Sequence, residues 1–323
     1  MNERILQYFL EHENEYVSGE QLSELLQCSR TAVWKHIEGL RKQGYLFSAV
    51  PRKGYKLLSK PEVLNAAKLM TGMETKTFGR VLRIYDEVDS TQNIAHGLVR
   101  QGEAEGTLVL AEQQNAGRGR MGRNWFSPKG KGIWMSLILK PTIAMQFTPQ
   151  LTLLAAVALC RAIQAYVPHQ VGIKWPNDLL IRGRKVSGIL LESSAEDERL
   201  NYVIVGMGIS ANLTAEDYPE ELRLKATSLL LEIGQPVDRE QLICDILLQL
   251  EKLMELYIQQ GFAPIRTLWE ALTISLHKPI RIQTSKGWIE GIADSIDEMG
   301  ALMITQLDGQ SLKLYSGDIE LLN

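Results

Sequence analysis

The stretch with the most chemical potential is Gln114-Asn115-Ala116-Gly117-Arg118-Gly119-Arg120-Met121-Gly122-Arg123-Asn124-Trp125. From Gln114 to Lys131 there are five basic residues and no acid. Glycines let a backbone close around an anion, and guanidinium groups bind phosphate or carboxylate through paired donors. Gly117, Gly119 and Gly122 also match the dinucleotide spacing G-x-G-x-x-G after a strand-like stretch. The context excludes that reading. The third glycine should open a helix, and Arg123-Asn124-Trp125-Phe126-Ser127-Pro128 follows instead. No Gly-Lys-Ser/Thr ends the loop, so it is not a Walker loop either. What remains is a flexible basic loop suited to an anion, against the plainer alternative of an ordinary exposed loop. Its charges repel one another, so disorder without ligand is expected.

The elements that position this loop follow from periodicity. Between about Phe78 and Leu272, strand-like stretches alternate with helical ones. The strands read as Val81–Tyr85, Thr107–Glu112, Ile133–Leu139, Val171–Trp175, Lys185–Leu191 and Tyr202–Ile209. The helices read as Ser90–Gln101, Thr148–Tyr166 and Arg239–Gln260, the second opened by Pro149. The pattern predicts an α+β segment with a mixed sheet and helices on one face. From about Ser275 onward, helical periodicity gives way to five short strands punctuated by turn dipeptides such as Asp308-Gly309 and Ser316-Gly317. That pattern predicts a small β-barrel of the SH3-like kind.

The front of the chain is a different object. Residues 1–27 hold six acids and one base, whereas residues 28–60 hold eight bases and one acid. Ser18 followed by Gln21 fits a capping box and opens a short helix. Ser29 caps the next helix, which turns Val33, Ile37 and Leu40 inward and stops at Gly44. A hairpin with the basic tip Pro51-Arg52-Lys53-Gly54 follows. With a first helix that follows Asn2 and carries Ile5, Leu6, Phe9 and Leu10 at helical spacing, three helices and a basic hairpin in this order predict a winged helix-turn-helix. Its candidate DNA-binding residues are Ser29, Arg30, Thr31, Trp34 and Lys35 on the third helix, and Arg52 and Lys53 on the wing. A solvated helix face on a protein-interaction module is the plainer alternative.

Composition bounds the rest. The chain has 323 residues, which predicts two or three domains at roughly 100–200 residues each. The assigned boundaries are 1–60 for the winged helix, 61–77 for a linker, 78–273 for the central domain and 274–323 for the small barrel. The longest apolar run, Leu153 to Cys160, is far short of the roughly 20 residues a bilayer needs, so no membrane span is expected. No secretory signal is expected either, because Met1-Asn2-Glu3-Arg4 lacks a basic region followed by an apolar stretch. Cys28, Cys160 and Cys244 are isolated and odd in number. They suit small core positions in a reducing, cytoplasmic compartment, and no metal site is expected from them.

Three separated motifs resemble the biotin protein ligases. They are Gly117 to Pro128 of the basic loop, Lys174-Trp175-Pro176-Asn177-Asp178, and Arg184-Lys185-Val186-Ser187-Gly188-Ile189-Leu190-Leu191-Glu192. Ser90-Thr91-Gln92-Asn93 is similar to that family's biotin-site turn. With the winged helix in front and the small barrel behind, the whole chain resembles the bifunctional class that also represses biotin genes. The resemblance implies formation of biotinyl-5′-AMP from biotin and ATP, with Mg²⁺ accompanying the nucleotide. It implies transfer of biotin to a lysine of a biotin carboxyl carrier domain. It also implies a homodimer that binds operator DNA when the adenylate is held.

The resemblance then gives roles to residues. Lys185 and Arg118 are the expected catalytic cations. A compact ammonium fits between a carboxylate and the α-phosphate better than a guanidinium fork does. Ser90, Thr91, Gln92, Gln114, Arg118, Gly119, Arg120, Trp134, Lys185 and Gly188 are expected at biotin. Arg118, Arg120, Arg123, Trp125, Asn177 and Asn212 are expected at the nucleotide. Asp178 is assigned either to the incoming lysine or to a structural hydrogen bond. Ser210 stands where the family usually has Asn. Two competing functions remain: a ligand-sensing regulator without catalysis, and a ligase whose front module no longer reads DNA.

Overall fold

The computed structural model describes residues 2–322, apart from 13, 14, 43, 44, 52, 60–62, 198, 285, 286 and 307. Contacts divide the chain into two compact units, Met1–Val63 and Leu64–Asn323. The first holds α1 (Asn2–Glu11), α2 (Gly19–Leu26), α3 (Arg30–Lys42) and the antiparallel hairpin of β1 (Leu46–Val50) and β2 (Gly54–Ser59). The capping box closes as expected. Gln21 N donates to Ser18 Oγ at 3.1 Å, and Ser18 N donates to Gln21 Oε1 at 2.8 Å. Helical spacing gathers Ile5, Phe9, Leu22, Leu26, Val33, Ile37 and Leu40 into one core with Val17 and Phe47. Gly44 and Arg52 lie outside the described residues.

The second unit is built on a seven-stranded sheet of order β3-β4-β5-β9-β8-β7-β6. In chain order come α4 (Ala66–Gly72), β3 (Val81–Val88), α5 (Thr91–Arg100), β4 (Thr107–Gln114), β5 (Ile133–Leu139) and α6 (Thr148–Gln164). They are followed by β6 (Val171–Lys174), β7 (Asp178–Ile181), β8 (Arg184–Glu196), β9 (Arg199–Ile209), α7 (Leu229–Ile233), α8 (Arg239–Gln260) and α9 (Ala263–Leu272). Strands β3 and β4 are parallel, and the other neighbours are antiparallel. Strand alternation decides the layers. Leu108, Leu110, Leu137, Leu139, Val203 and Val205 share the main core with α6 and α8. Val109, Ile138 and Ile204 point the other way, against Ala95 of α5. Helices therefore cover both faces, not one, because α5 is amphipathic and closes the face opposite α6.

Two further readings are refined. The stretch 61–77, assigned to a linker, contains α4. Leu64, Leu69 and Met73 find partners in the main core. The Glu251 carboxylate accepts from the backbone N–H groups of Lys76, Thr77 and Phe78 at 2.7, 2.7 and 2.9 Å. Segment Met145–Gln164 is long and apolar enough to cross a bilayer, yet most of it is buried inside the protein. Its apolar character serves the core, where Leu153 to Cys160 is buried throughout. Burial pushes the Cys160 thiol up to about 12 and Cys244 up to about 11, so both are unreactive core groups.

The C-terminal strands are β10 (Pro279–Thr284), β11 (Gly287–Ile296), β12 (Leu302–Gln306), β13 (Ser311–Leu314) and β14 (Ile319–Leu321). They form an antiparallel sheet of order β13-β12-β11-β10-β14, which meets the expectation of five strands. Ile280, Ile282, Ala293, Ile304 and Ile319 join the same core as the seven-stranded sheet. The two sheets of this unit thus share one interior.

Candidate active site

A cavity of about 650 Å³ lies where the start of α5 meets β8, β9 and the basic loop. Gly206 and Gly208 follow Ile204 at alternate positions on β9, so they share the α5 face. Gly188 pairs with Gly208 across the ladder. These glycines leave space for what lies above them. A Cβ at Gly208 would sit 2.3 Å from Trp125 Nε1, and one at Gly206 would sit 2.8 Å from Gln92 Oε1. At Gly188 it would meet the Trp125 ring at 3.0 Å. The floor is therefore bare backbone, and the Trp125 indole of the basic loop lies against it.

One end of the cavity is neutral and buried. Thr91 Oγ1 donates to Gln114 Oε1 at 3.1 Å and lies 2.8 Å from Ser136 Oγ. The Thr91 backbone N–H donates to the same Gln114 oxygen at 2.9 Å. Gln114 Nε2 donates to Ser127 Oγ at 2.9 Å. Ser90 caps α5 by accepting from Gln92 N at 3.3 Å. Two buried polar atoms here have no hydrogen-bond partner, Gln92 Oε1 and Trp125 Nε1. Buried polar atoms left unpaired cost free energy, so both are open positions for a polar ligand.

The other end is charged. Lys185 Nζ stands 2.7 Å from Asp178 Oδ1 and 5.1 Å from the centre of the Trp125 ring. The β7–β8 hairpin enforces that approach. Arg120 donates to Asn177 Oδ1 at 3.0 Å and to the Gly317 carbonyl at 3.2 Å. Asn177 Nδ2 donates to the Ile189 carbonyl at 2.6 Å, which fixes its oxygen toward Arg120. Arg123 pairs with Asp318, and Arg118 with Glu192 at 3.1 Å. Burial lowers the Arg120 guanidinium below its usual value, opposed by the carboxylates of Asp178 and Asp318. Burial alone would raise Asp318. The Arg123 hydrogen bond and the charges of Lys174, Arg123 and Lys185 hold it below the usual carboxylate range. The loop is thus laid down by carboxylates that come from β8 and from the turn before β14.

Comparisons with known proteins place this geometry. Residues 84–210 match the biotin/lipoate A/B protein ligase family, and residues 2–56 match an HTH domain. The chain is 47% identical over 317 residues to the bifunctional ligase/repressor BirA of Bacillus subtilis (strain 168), covering 98% of this chain and 97% of that protein. It is 33% identical to the bifunctional ligase/repressor BirA of Escherichia coli (strain K12), over 95% of this chain and 93% of that one. This chain belongs to the biotin/lipoate A/B protein ligase family. The solved structure of the biotin protein ligase from Aquifex aeolicus in complex with biotin and ATP superposes with a TM-score of 0.64 at 28% identity. The match covers 75% of this chain and 99% of that one.

Within this ligase-family chain, the cavity gathers most of the residues singled out from sequence. Ser90, Thr91, Gln92, Gln114, Arg118, Gly119, Arg120, Arg123, Trp125, Asn177, Lys185 and Gly188 all line it. Trp134 and Asn212 are not among them. Trp134 is fully buried beneath Leu213, Tyr218 and Phe126, and its Nε1 donates to the Pro128 carbonyl at 3.2 Å. Asn212 spends both ends of its amide on the backbone of Val237, each at 2.9 Å. Ser210, the departure from the family pattern, does line the cavity, as does Asp178. Sequence reasoning missed Lys174, Glu192, Gly206, Gly208, Gly317 and Asp318. Lys174 and Glu192 sit inside the quoted motifs, and Gly206 and Gly208 shortly precede Ser210. Gly317 and Asp318 carried no signal beyond a turn dipeptide.

The N-terminal unit presents the expected face. Ser29 Oγ accepts from Ala32 N at 3.3 Å at the start of α3. Ser29, Arg30, Thr31, Trp34 and Lys35 are exposed while Val33, Ile37 and Leu40 are fully buried. Lys53 is exposed in the turn between β1 and β2. Arg30 pairs with Glu20 of α2 at 3.1 Å, so a nucleic acid would compete for that guanidinium.

Proposed function

We propose that the chain is an ATP-dependent biotin protein ligase and a biotinyl-5′-AMP-dependent repressor, acting in the cytoplasm. The observation that carries the reading is the two-ended cavity, with a buried neutral hydrogen-bonding end beside a cluster of cations. Biotin's ureido ring suits the neutral end, where Ser90, Thr91, Gln92 and Gln114 offer donors and acceptors. Gly119 and Gly188 leave room for the bicycle. The carboxylate and the α-phosphate belong at the charged end, because two anions approach each other only where both are neutralised.

In the first step a biotin carboxylate oxygen attacks the α-phosphorus. The bond to the β-phosphate oxygen breaks, and pyrophosphate leaves. Lys185 Nζ exchanges Asp178 for the two anions and sits between them. Arg118 and Arg120 hold the carboxylate and the adenylate phosphate, and Arg123 meets the departing pyrophosphate. Asn177 contacts the nucleotide through the oxygen that now faces Arg120, and Trp125 covers the adenylate. In the second step the amine of a carrier-domain lysine attacks the mixed anhydride carbonyl. An amide forms, AMP leaves and the amine proton is released, with Asp178 near enough to orient the incoming group.

Among the described residues, no group of three or more His, Cys, Asp or Glu could hold a metal ion. Mg²⁺ accompanying ATP would be held mostly by phosphate oxygens and water. Closing the loop over the adenylate exchanges the Asp318 partner of Arg123 for phosphate. We take this as the event that favours a homodimer, whose paired α3 helices and wings then read a palindromic operator. Isotope exchange between pyrophosphate and ATP tests the chemistry. Biotin-dependent exchange is expected, and its absence would indicate a regulator without catalysis. A gel shift on the chain's own biotin-gene promoter tests the repressor part. Failure to shift with adenylate present would leave a ligase alone.

A further inference from the structure

One carboxylate, bonded to two side chains of the cavity wall, is not used in that scheme. Glu192, on β8, gathers three donors on a single oxygen. Gln92 Nε2 donates to Glu192 Oε2 at 2.9 Å, Arg118 pairs with it at 3.1 Å, and His96 Nε2 lies 3.2 Å away. Gln92 and His96 are one helical turn apart on α5, so both reach the same oxygen. On its far side, His96 Nδ1 lies 3.2 Å from the Tyr202 hydroxyl. A neutral imidazole that accepts from Tyr202 at Nδ1 carries its proton on Nε2 and donates it to Glu192.

The arrangement settles which way the Gln92 amide faces. With Nε2 donating to a carboxylate, Oε1 must point away from it, because the reverse would press two oxygens together. Oε1 is the buried atom on the cavity wall, against Gly206, that has no hydrogen-bond partner. The site therefore holds a fixed acceptor without a donor. A ureido ring carries N–H donors.

We propose that Glu192, steadied by His96, is a positioning residue that fixes the Gln92 acceptor for a ureido N–H of biotin and holds Arg118 at the cavity wall. The inference rests on the reading of this cavity as a biotin site. Glu192 touches no reacting atom, so its loss should weaken biotin capture far more than turnover. Losing a charged acceptor that orients two ligand-binding groups should raise the KM for biotin about tenfold or more, with the KM for ATP within about twofold. Glu192→Gln keeps a neutral acceptor for the same donors, so its increase should be smaller, about threefold.

The test measures biotin-dependent pyrophosphate exchange in the full chain and in the Glu192→Ala, Glu192→Gln and His96→Ala variants. Melting temperature is measured alongside. Biotin is compared with an analogue methylated on its ring nitrogens. The expected order of biotin KM is Glu192→Ala above Glu192→Gln above the unmodified chain. The preference for biotin over the methylated analogue should shrink in the same order, and His96→Ala should follow Glu192→Gln. Equal rises in the KM for biotin and for ATP, or an unchanged preference between biotin and its analogue, would overturn the proposal. If Glu192→Ala fails to fold, the isosteric Glu192→Gln and the remote His96→Ala decide the outcome alone. No exchange in the unmodified chain would instead overturn the biotin reading itself.

Discussion

The two ends of the cavity solve the binding problem in opposite ways. At the neutral end Thr91, Gln114, Ser127 and Ser136 are bonded to one another. At the charged end three of the cations stand against carboxylates. Lys185 has Asp178, Arg118 has Glu192 and Arg123 has Asp318. The neutral end is a hydrogen-bonded template, and the charged end is a set of ion pairs. Template contacts define which molecule binds. Ion pairs suppress self-repulsion in the loop, and Lys185 and Arg123 can exchange their carboxylates for phosphate where charge develops.

The sharpest way to break this comparison is Lys185→Ala. Removing the central cation should lower biotin-dependent pyrophosphate exchange by about 10²–10³-fold, with little change in melting temperature. Normal turnover would show that the ion pair with Asp178 is only structural. Next comes Arg118→Gly, which should speed adenylate release by about tenfold or more, read by chase of labelled adenylate. An unchanged off-rate would remove Arg118 from the charged end.

The template is probed by Thr91→Val, which deletes the hydroxyl shared between Gln114 and Ser136. The KM for biotin should rise about tenfold while the KM for ATP stays put. A rise confined to ATP would reverse the assignment of the ends. The smallest effect concerns acid. Asp318 has a lowered pKa when folded, so its pairing with Arg123 is complete above the ordinary carboxylate value. The pairing is lost only as pH falls through the lowered value. Hydrogen-exchange protection of residues 118–123 should hold through mild acid and fall below that range. Loss of protection beginning near neutrality would contradict the clasp.

The contrast also explains what could be read from sequence. Helix α8 is found at the limits its apolar spacing predicts, Arg239 to Gln260, and Ser18 with Gln21 marks a cap seen in full. The charged end was legible because arginine, lysine and glycine cluster in short runs around Arg118 and Lys185. Its restraint was not. Counting bases alone predicts a loop that repels itself, whereas Glu192 and Asp318, distant in sequence, neutralise it in the folded chain. Strand β7 was hidden because Asp178–Ile181 is too short for a periodic signal. Trp134 lies outside the cavity lining for a reason that sequence also hides. Its alternation along β5 gives the correct face, but sequence cannot show that Leu213 and Tyr218 cover it there.

The central claim is that one cavity joins biotin to a nucleotide and then yields biotin to a lysine. Mass spectrometry of the purified chain mixed with biotin, MgATP and a biotin-acceptor domain tests it most directly. The account predicts one biotinyl group on a single acceptor lysine, dependent on ATP and abolished by Lys185→Ala. An acceptor that keeps its original mass beside a folded, biotin-saturated chain would contradict it.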